Sequence, residues 1–352
     1  MVKISLIIPC WHVAKHLPHV LEDLQAQTFT DFEAILVNDG DDSQVEAMNS
    51  IAAHENRIRI VRLEQNSGVA AARNAGTDIA QAPWVGYADP DDRFGPHYLQ
   101  SLYEAVDGKD VEMACGGFSF NYVRTKKETN NFLSCPEIVD IAKAYEIMSY
   151  AFVVGLVWNK LYSKDVIRRN GLCFHKDMLV NEDDAFNLEY YQFVSKIGMV
   201  KNCEYVYYVY DGETGCHRYD PLYMKNACKL VTLREKLRQK LGWPEERIMK
   251  ERNKELAYDS FRMCSLLFSK HSPLTIDGAV KKIQEELLDQ PIIVNAILQG
   301  TYERDRMIRI FQKLVRIGNA RLIALTFKFL WIGKSRFGNF YAKVKPFFRG
   351  DA

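Results

Sequence analysis

Four short apolar runs alternate with three segments of helical period at the start of this chain, and that alternation constrains the fold more than any other feature. The runs are Ile4 to Ile8, Glu33 to Val37, Ile58 to Leu63 and Trp84 to Ala88; the helical segments between them are Ala14 to Ala26, Val45 to His54 and Val69 to Ala80. Strands joined through a helix pair in parallel, because the crossover carries the chain back to the end from which it left. Apolar runs without alternating polar positions are covered on both faces. The expectation is an α/β chain with an open, mostly parallel, doubly wound sheet, whose ligands bind outside the carboxyl ends of its strands.

Further along, the signals are mixed. Val111 to Phe120 reads as a strand interrupted by Gly116-Gly117, and Thr125 to Ser134 as a polar mobile loop. Glu137 to Tyr150, Ser163 to Arg169 (ended by Asn170-Gly171) and Glu182 to Phe193 read as helices, and the tyrosine-rich Tyr205 to Tyr210 as a strand. From Asp220 onward only helical patterns appear, among them Leu230 to Leu241 and Ile283 to Leu288, with breaks at Ser272-Pro273 and Gln290-Pro291. The 352 residues are expected to divide into a domain over 1–219, with halves 1–92 and 93–219, and a helical unit over 220–352. Domains of roughly 100–200 residues are usual. A hydrophobic share of 47% with 26% charged residues is that of a soluble globular protein and excludes disorder or a bundle of membrane spans. Eight scattered cysteines without a C-x-x-C pair read as reduced thiols in a cytosolic protein. Met1 to Pro9 reads as a first buried strand rather than a leader.

Chemistry concentrates where these elements end. After the fourth run, Asp89-Pro90-Asp91-Asp92 sets carboxylates at a strand's carboxyl end. At spacing i, i+2, Asp89 and Asp91 can converge on one cation; oxygen ligands suit Mg²⁺ or Mn²⁺ carrying a diphosphate, the ion acting as Lewis acid on the leaving group. Pro9 closes the first strand and Val37-Asn38-Asp39-Gly40 the second, where Asp39 can accept a hydrogen bond from a uracil ring N–H. Asn66-Ser67-Gly68 leads into a helix carrying Arg73-Asn74-Ala75-Gly76, and Asn181-Glu182-Asp183-Asp184 opens a later one. Plainer readings stand beside these. Asp-Pro-Asp-Asp is good turn chemistry, Asp42 or Ser43 would cap a helix, and Gly68 and Gly76 would serve packing. Acids at a helix start are favoured by its dipole, and Trp158 would be core.

Together these stretches resemble glycosyltransferase family 2, inverting nucleotide-sugar-dependent enzymes of GT-A fold. The family pattern runs N-x-G-x-x-x-A-R-N-x-G, a helix, an apolar strand, then D-x-D-D. Val37 to Gly40 matches the family's V-[DN]-D-G turn, although Asp41-Asp42-Ser43 stands where S-T-D is usual. Trp158 to Tyr162 matches W-N-K-L-Y, and Asn181 to Asn187 matches G-E-D-x-x-F-N with Asn in place of Gly. The resemblance covers residues 3–217. It implies that Pro9, Asp39, Asn66, Arg73, Asp89 and Asp91 bind the nucleotide-sugar donor, with UDP the expected nucleotide. It also implies that Asp91, Asp89 and His217 hold Mn²⁺ or Mg²⁺, that Asp183 is the catalytic base with Glu182 beside it, and that Trp158 and Lys160 face a glycan or lipid-linked glycan acceptor. The implied role is single-sugar transfer, or at most the work of a soluble polymerase, in cell-surface polysaccharide synthesis, since the Q-x-x-R-W motif and membrane spans of processive synthases are missing. Two rivals are weighed. A sugar-1-phosphate nucleotidyltransferase would carry a glycine-rich loop where Pro9-Cys10-Trp11 stands, and a non-catalytic sugar or lipid binding module would use the acids only structurally. A NAD dehydrogenase is excluded because no G-x-G-x-x-G opens a helix.

The net charge is only +1, yet Arg304 to Arg349 holds twelve Lys or Arg against one acid, Asp305. Its longest apolar stretch, Leu322 to Ile332, is eleven residues interrupted by Lys328, short of the roughly 20 a spanning helix needs. Basic amphipathic helices with aromatic residues suit an anionic membrane surface, so the expectation is a cytoplasmic protein held peripherally at the inner face of the plasma membrane, with a basic helix packed on the catalytic domain as the plainer reading. No reader motif for nucleic acid accompanies the basicity.

Overall fold

Ile4–Cys10 is buried at every position, as a strand flanked by others and covered on both faces must be. In a computed structural model, which describes residues 1–134, 137–210, 219–270, 272–303 and 305–336, this strand is β1. After it come α1 (Leu17–Ala26), β2 (Phe32–Asn38), α2 (Val45–His54), β3 (Ile58–Arg62), α3 (Val69–Ile79) and β4 (Trp84–Tyr87). β5 (Arg93–Phe94), α4 (Tyr98–Glu104), β6 (Met113–Gly116), β7 (Phe118–Tyr122), β8 (Lys127–Asn131), β9 (Ile138–Asp140) and α5 (Ile141–Tyr150) follow. The unit is completed by β10 (Lys160–Ser163), α6 (Lys164–Arg169), α7 (Glu182–Tyr190), β11 (Lys196–Val200) and β12 (Tyr205–Val209).

One eight-stranded sheet has the order β3-β2-β1-β4-β10-β6-β11-β9. β1 to β4 pair in parallel, β10 runs against both its neighbours, and β6 and β11 are again parallel. The strand order reverses beside β1 and β4, so their carboxyl ends frame the crevice where α/β sheets take ligands. A second sheet, β5-β12-β7-β8, lies beyond β4 in sequence and carries the tyrosine-rich strand.

The expected elements of the first quarter all form, with boundaries shifted by a few residues. Three later readings are corrected. Thr125 to Ser134 is no loop: β8 pairs antiparallel with β7, Phe118 opposite Asn131. Residues 137–150 are not one helix, because Ile138–Asp140 first pairs with β11, and Asp140 then caps α5 by accepting from Lys143 N–H at 2.9 Å. Val111 to Phe120 is two strands in two sheets, the switch falling at Gly117. A Cβ there would stand 2.2 Å from the Lys201 carbonyl oxygen, so only glycine fits the switch.

The chain forms two compact units, Met1–Gly212 and Glu213–Ala352. Among its described residues the second is helical: α8 (Tyr223–Lys240), α9 (Glu245–Leu266), α10 (Ile276–Ile283) running into a π-helical turn (Gln284–Leu288), α11 (Pro291–Gln299), α12 (Arg306–Ile317) and α13 (Ala320–Arg336). Its core includes Phe311 and Phe327, whose rings meet Phe261 edge-on at 5.7 and 5.0 Å. The basic segment is therefore packed structure over much of its length: Ile308, Phe311, Val315, Ile323 and Phe327 are all buried. The rest of that segment, from Phe337, lies outside the described residues. Among the described residues no helix is long and apolar enough to cross a membrane.

Candidate active site

The turn after β2 is built around Asp39, which is 3% exposed. Its carboxylate accepts from Ser67 N–H at 2.7 Å and Gly68 N–H at 2.9 Å, pinning the loop that opens α3. Gly40 adopts φ +72°, and a Cβ on it would lie 2.3 Å from the Gln65 backbone. Asp41 takes over the capping duty: it accepts from the Ser43 N–H and hydroxyl at 2.9 and 2.6 Å and from His12 N–H at 3.2 Å. Pro9 lies buried in β1 opposite Val37, and Asn66 is exposed on the pinned loop.

α3 starts at Gly68 with a run of small residues that sink its inner face against the sheet, and Arg73 follows on that face, 4% exposed. Its guanidinium joins the two acidic motifs, donating to Glu182 at 2.9 Å and to Asp89 at 3.0 Å. The Phe174 ring lies 5.4 Å from it. Burial opposes the charge on Arg73, but Asp89, Glu182 and Asp183 outweigh it, so its pKa stands above the ordinary arginine value. Asn74 donates to and accepts from the Phe174 backbone, both at 2.8 Å, and Phe174 stacks on Phe186 of α7 at 4.2 Å. The adjacent Arg-Asn pair thus fixes α7, and its acids, against the end of β4.

At that end Asp89, Asp91 and Asp92 crowd together. Tyr205 of β12 orders them: its hydroxyl accepts from Asp89 N–H at 3.1 Å and donates to Asp92 at 2.9 Å, while Tyr208 N–H donates to Asp92 at 2.8 Å. Burial, then the Asp89 and Asp91 charges, push Asp92 well above the usual carboxylate range. Asp91 reaches solvent; crowding by the surrounding protein, then Asp89, raises its pKa too. Excess negative charge on hard oxygen atoms is what a divalent cation relieves, and two carboxylates suffice for Mg²⁺ or Mn²⁺ when phosphate and water complete the sphere. The donor set fits such an ion. Among the described residues no three His, Cys, Asp or Glu side chains converge as a metal cage, and His217 lies outside the described residues.

α7 begins at Asn181, whose φ of +64° explains why glycine is usual at this point of the motif: Asn is the residue that next best tolerates the left-handed region. Glu182 is held by Arg73. Asp183 lies on the wall of a cavity of about 770 Å³, with Asp89 also on its lining. Burial, then the neighbouring Glu182 carboxylate, outweigh Arg73 and raise the Asp183 pKa to about 7. Asn187, the last residue of the motif, donates to the carbonyls of Gly155 and Asp183 at 3.0 and 2.9 Å, tying the helix to the loop beneath the cavity.

The two expected acceptor contacts divide. Trp158 lines the cavity but is 4% exposed, its ring stacked on Tyr205 at 4.4 Å and on Tyr207 at 5.6 Å. Lys160 does not reach the cavity at all: it is fully buried, and its ammonium donates to Val153 O at 2.7 Å, Asn159 Oδ1 at 2.9 Å and the Leu156 carbonyl. All three protons are used, so the expected acceptor contact is corrected to a brace under the 153–156 loop. Lys160→Met accordingly loses about 3 kcal/mol or more of stability, since three buried acceptors lose their donor; urea denaturation reads this as a lower midpoint. Sequence reading also passed over Tyr205, for which the tyrosine-rich strand was the available signal.

A mostly parallel sheet with nucleotide-type crossovers, an acidic turn after its fourth strand and a second acidic helix start define a GT-A glycosyltransferase domain. Residues 5–166, just under half of the chain, match the model of Glycosyl transferase family 2, so this part of the chain carries a domain of that family's type. The match sets aside the nucleotidyltransferase alternative. The glycosyltransferase EpsJ of Bacillus subtilis is 30% identical over 212 residues, 58% of this chain and 60% of EpsJ, so the chain spans under two thirds of that relative's length. The poly(ribitol-phosphate) beta-N-acetylglucosaminyltransferase TarP of Staphylococcus aureus is 26% identical over 224 residues, 62% of this chain and 66% of TarP. Among solved structures, S. aureus TarS 1–349 in complex with UDP-GlcNAc superposes with a TM-score of 0.58 at 18% identity, covering 96% of this chain and 92% of that one. At that identity the likeness is one of fold.

Proposed function

We propose that the protein transfers a sugar, with inversion, from a UDP-sugar to a hydroxyl of a glycan or lipid-linked glycan in cell-surface polysaccharide synthesis. The observation that carries this is the Arg73 bridge from Asp89 to Glu182, which sets a carboxylate cluster suited to a metal diphosphate and the neighbouring Asp183 on one cavity. Asp39 keeps a lone pair on each oxygen beyond the N–H it already holds, which suits it to a uracil N–H, with Pro9 and Asn66 flanking the same crevice. Asp91 and Asp89 would hold Mg²⁺ or Mn²⁺, which when bound neutralises the departing diphosphate. Asp91 is the direct ligand in this reading, because Asp89 is tied to Arg73. Asp183 takes the proton of the acceptor hydroxyl; the acceptor oxygen forms a bond to C1 as the bond from C1 to the diphosphate oxygen breaks on the opposite side. Glu182 spreads the charge around Asp183 through Arg73. Support for UDP comes from the fold's likeness to the TarS complex with UDP-GlcNAc, and support for sugar transfer to a large polymer from TarP, a poly(ribitol-phosphate) beta-N-acetylglucosaminyltransferase. The test is UDP release from a panel of UDP-sugars by the full chain with Mn²⁺. Release from at least one supports the proposal, and intact donors throughout, with UDP bound, overturn it.

The cytoplasmic, membrane-surface setting is part of the same proposal. In its favour, Leu325 and Phe329 stand 50% and 75% exposed on α13, in a segment that also carries Arg321 and Lys328. Each basic side chain near an anionic surface adds about 1 kcal/mol. Leu325→Ser with Phe329→Ser therefore reduces co-sedimentation with phosphatidylglycerol vesicles while leaving the buried helix core untouched; equal sedimentation with neutral and anionic vesicles contradicts it.

A further inference from the structure

The rim of the 770 Å³ cavity carries aromatic rings that the protein's own packing does not use. Tyr150 and Phe152 are 90% and 89% exposed, and Phe132, from the segment after β8, is 39% exposed. Phe152 is the notable one. It follows the C-cap of α5, where Val153 N–H closes back on the Met148 carbonyl at 2.9 Å, and its φ is +57°. That is the position at a helix end where glycine is usual. A bulky residue there strains the backbone, and here it also sets an apolar ring in water; strain of this kind collects at ligand clamps. The turn is held in place by Asn131, whose amide donates to the Ala151 carbonyl at 2.8 Å.

The rest of the lining has a consistent chemistry. Phe118, Phe120 and Tyr207 lie side by side in the second sheet with Trp158 against them, and Thr129 and Asn131 stand next to Phe120 and Phe118 on β8, so aromatic faces and, with Asn130, neutral hydrogen-bonding groups adjoin. Among the described lining residues the only charged side chains are the acids Asp89 and Asp183, and no Lys, Arg or His is among them. An acceptor that carried phosphate here would meet the Asp183 carboxylate and an Asp89 already paired with Arg73, with no further cation among the described lining residues to hold it. A pyranose presents the complementary pattern, an apolar C–H face and a rim of hydroxyls. At about 770 Å³ the cavity falls within the roughly 300–1,000 Å³ of sites that enclose a drug-sized ligand, more than one sugar ring requires.

We propose that the acceptor is an uncharged glycosyl residue whose ring stacks on Phe152 and Tyr150 at the cavity mouth, and that this aromatic rim selects neutral sugars over polyol phosphates. The proposal rests on Asp183 being the base, since that orients the acceptor hydroxyl toward the inner wall. It makes Phe152 a specificity residue, not a catalytic one.

Saturation-transfer NMR on the full chain with UDP and Mn²⁺ tests it. The probes are the methyl β-glycosides of glucose, galactose and N-acetylglucosamine, set against ribitol 5-phosphate. Ring protons of at least one glycoside receive saturation, and ribitol 5-phosphate receives none. Phe152→Gly weakens that glycoside's affinity by about tenfold or more, the worth of an aromatic contact area of this size, and Tyr150→Ala acts in the same direction. Glycine suits the positive φ, so Phe152→Gly keeps or raises the melting temperature, and a folding defect is excluded by that measurement. Saturation of ribitol 5-phosphate in preference to all three glycosides, or an unchanged affinity in Phe152→Gly, overturns the inference. UDP binding with no glycoside contact overturns this inference alone; a wild-type chain that binds no UDP either overturns the glycosyltransferase reading with it.

Discussion

Asp183→Asn lowers turnover by about 10²- to 10⁴-fold, the usual worth of a positioned general base, while UDP affinity with Mn²⁺ stays within a few-fold of wild type. The amide keeps the shape and loses the proton acceptor. With the Asp183 pKa raised to about 7, wild-type kcat/KM has an acid limb in which activity falls as the carboxylate protonates. Its midpoint lies near or below pH 7, because a bound cation adds positive charge beside the group, and the variant lacks this limb. Stability moves the other way. A carboxyl whose folded pKa is raised stabilises the fold below its unfolded value, near 3.8, and loses that contribution as pH rises through about 7. Asp183→Asn therefore melts higher than wild type at pH 8, and the gap closes toward pH 4. A variant with near-normal transfer would move the base to Glu182 or Asp184.

Asp91→Asn abolishes the part of UDP binding that depends on Mn²⁺. The exposed Asp91 side chain sits beside Asp89 and Asp92, so the substitution removes an anionic oxygen from a cluster whose charges repel, and the cation loses its direct ligand. Calorimetry of UDP with and without Mn²⁺ gives two different affinities for wild type and one for the variant. Relief of the repulsion keeps the variant folded, so its melting temperature does not fall. A metal dependence equal to wild type would remove Asp91 from the metal site.

Legibility in the sequence followed the length scale of each signal. The strands of the first quarter are short apolar runs separated by complete helices, and that regular alternation, not strand length, made them legible. β10 and β11 were not legible: Lys160–Ser163 and Lys196–Val200 are as short as β4 and β3 but stand outside the regular strand–helix alternation, and they become strands where β4 and β6 offer edges to pair with. β8, with its polar sequence Lys127–Asn131, was read as a loop because its pairing with β7 is set by a register that composition does not show. In the site, Arg73, Asp89, Glu182 and Asp183 could be singled out as residue types in a pattern, but their junction at one guanidinium spans more than a hundred positions in sequence. Lys160 shows the opposite failure. A lysine beside a tryptophan looks like a surface ligand, and only the three buried oxygens around its ammonium reveal a brace.

The anomeric configuration of the first product tests the account most directly. When the full chain with Mn²⁺ turns over whichever α-linked UDP-sugar it accepts, proton NMR at early times should show a β-linked product, because a single carboxylate, Asp183, directs one displacement opposite the diphosphate. A product of α configuration would contradict that arrangement, since it requires two displacements or attack from the face of the leaving group.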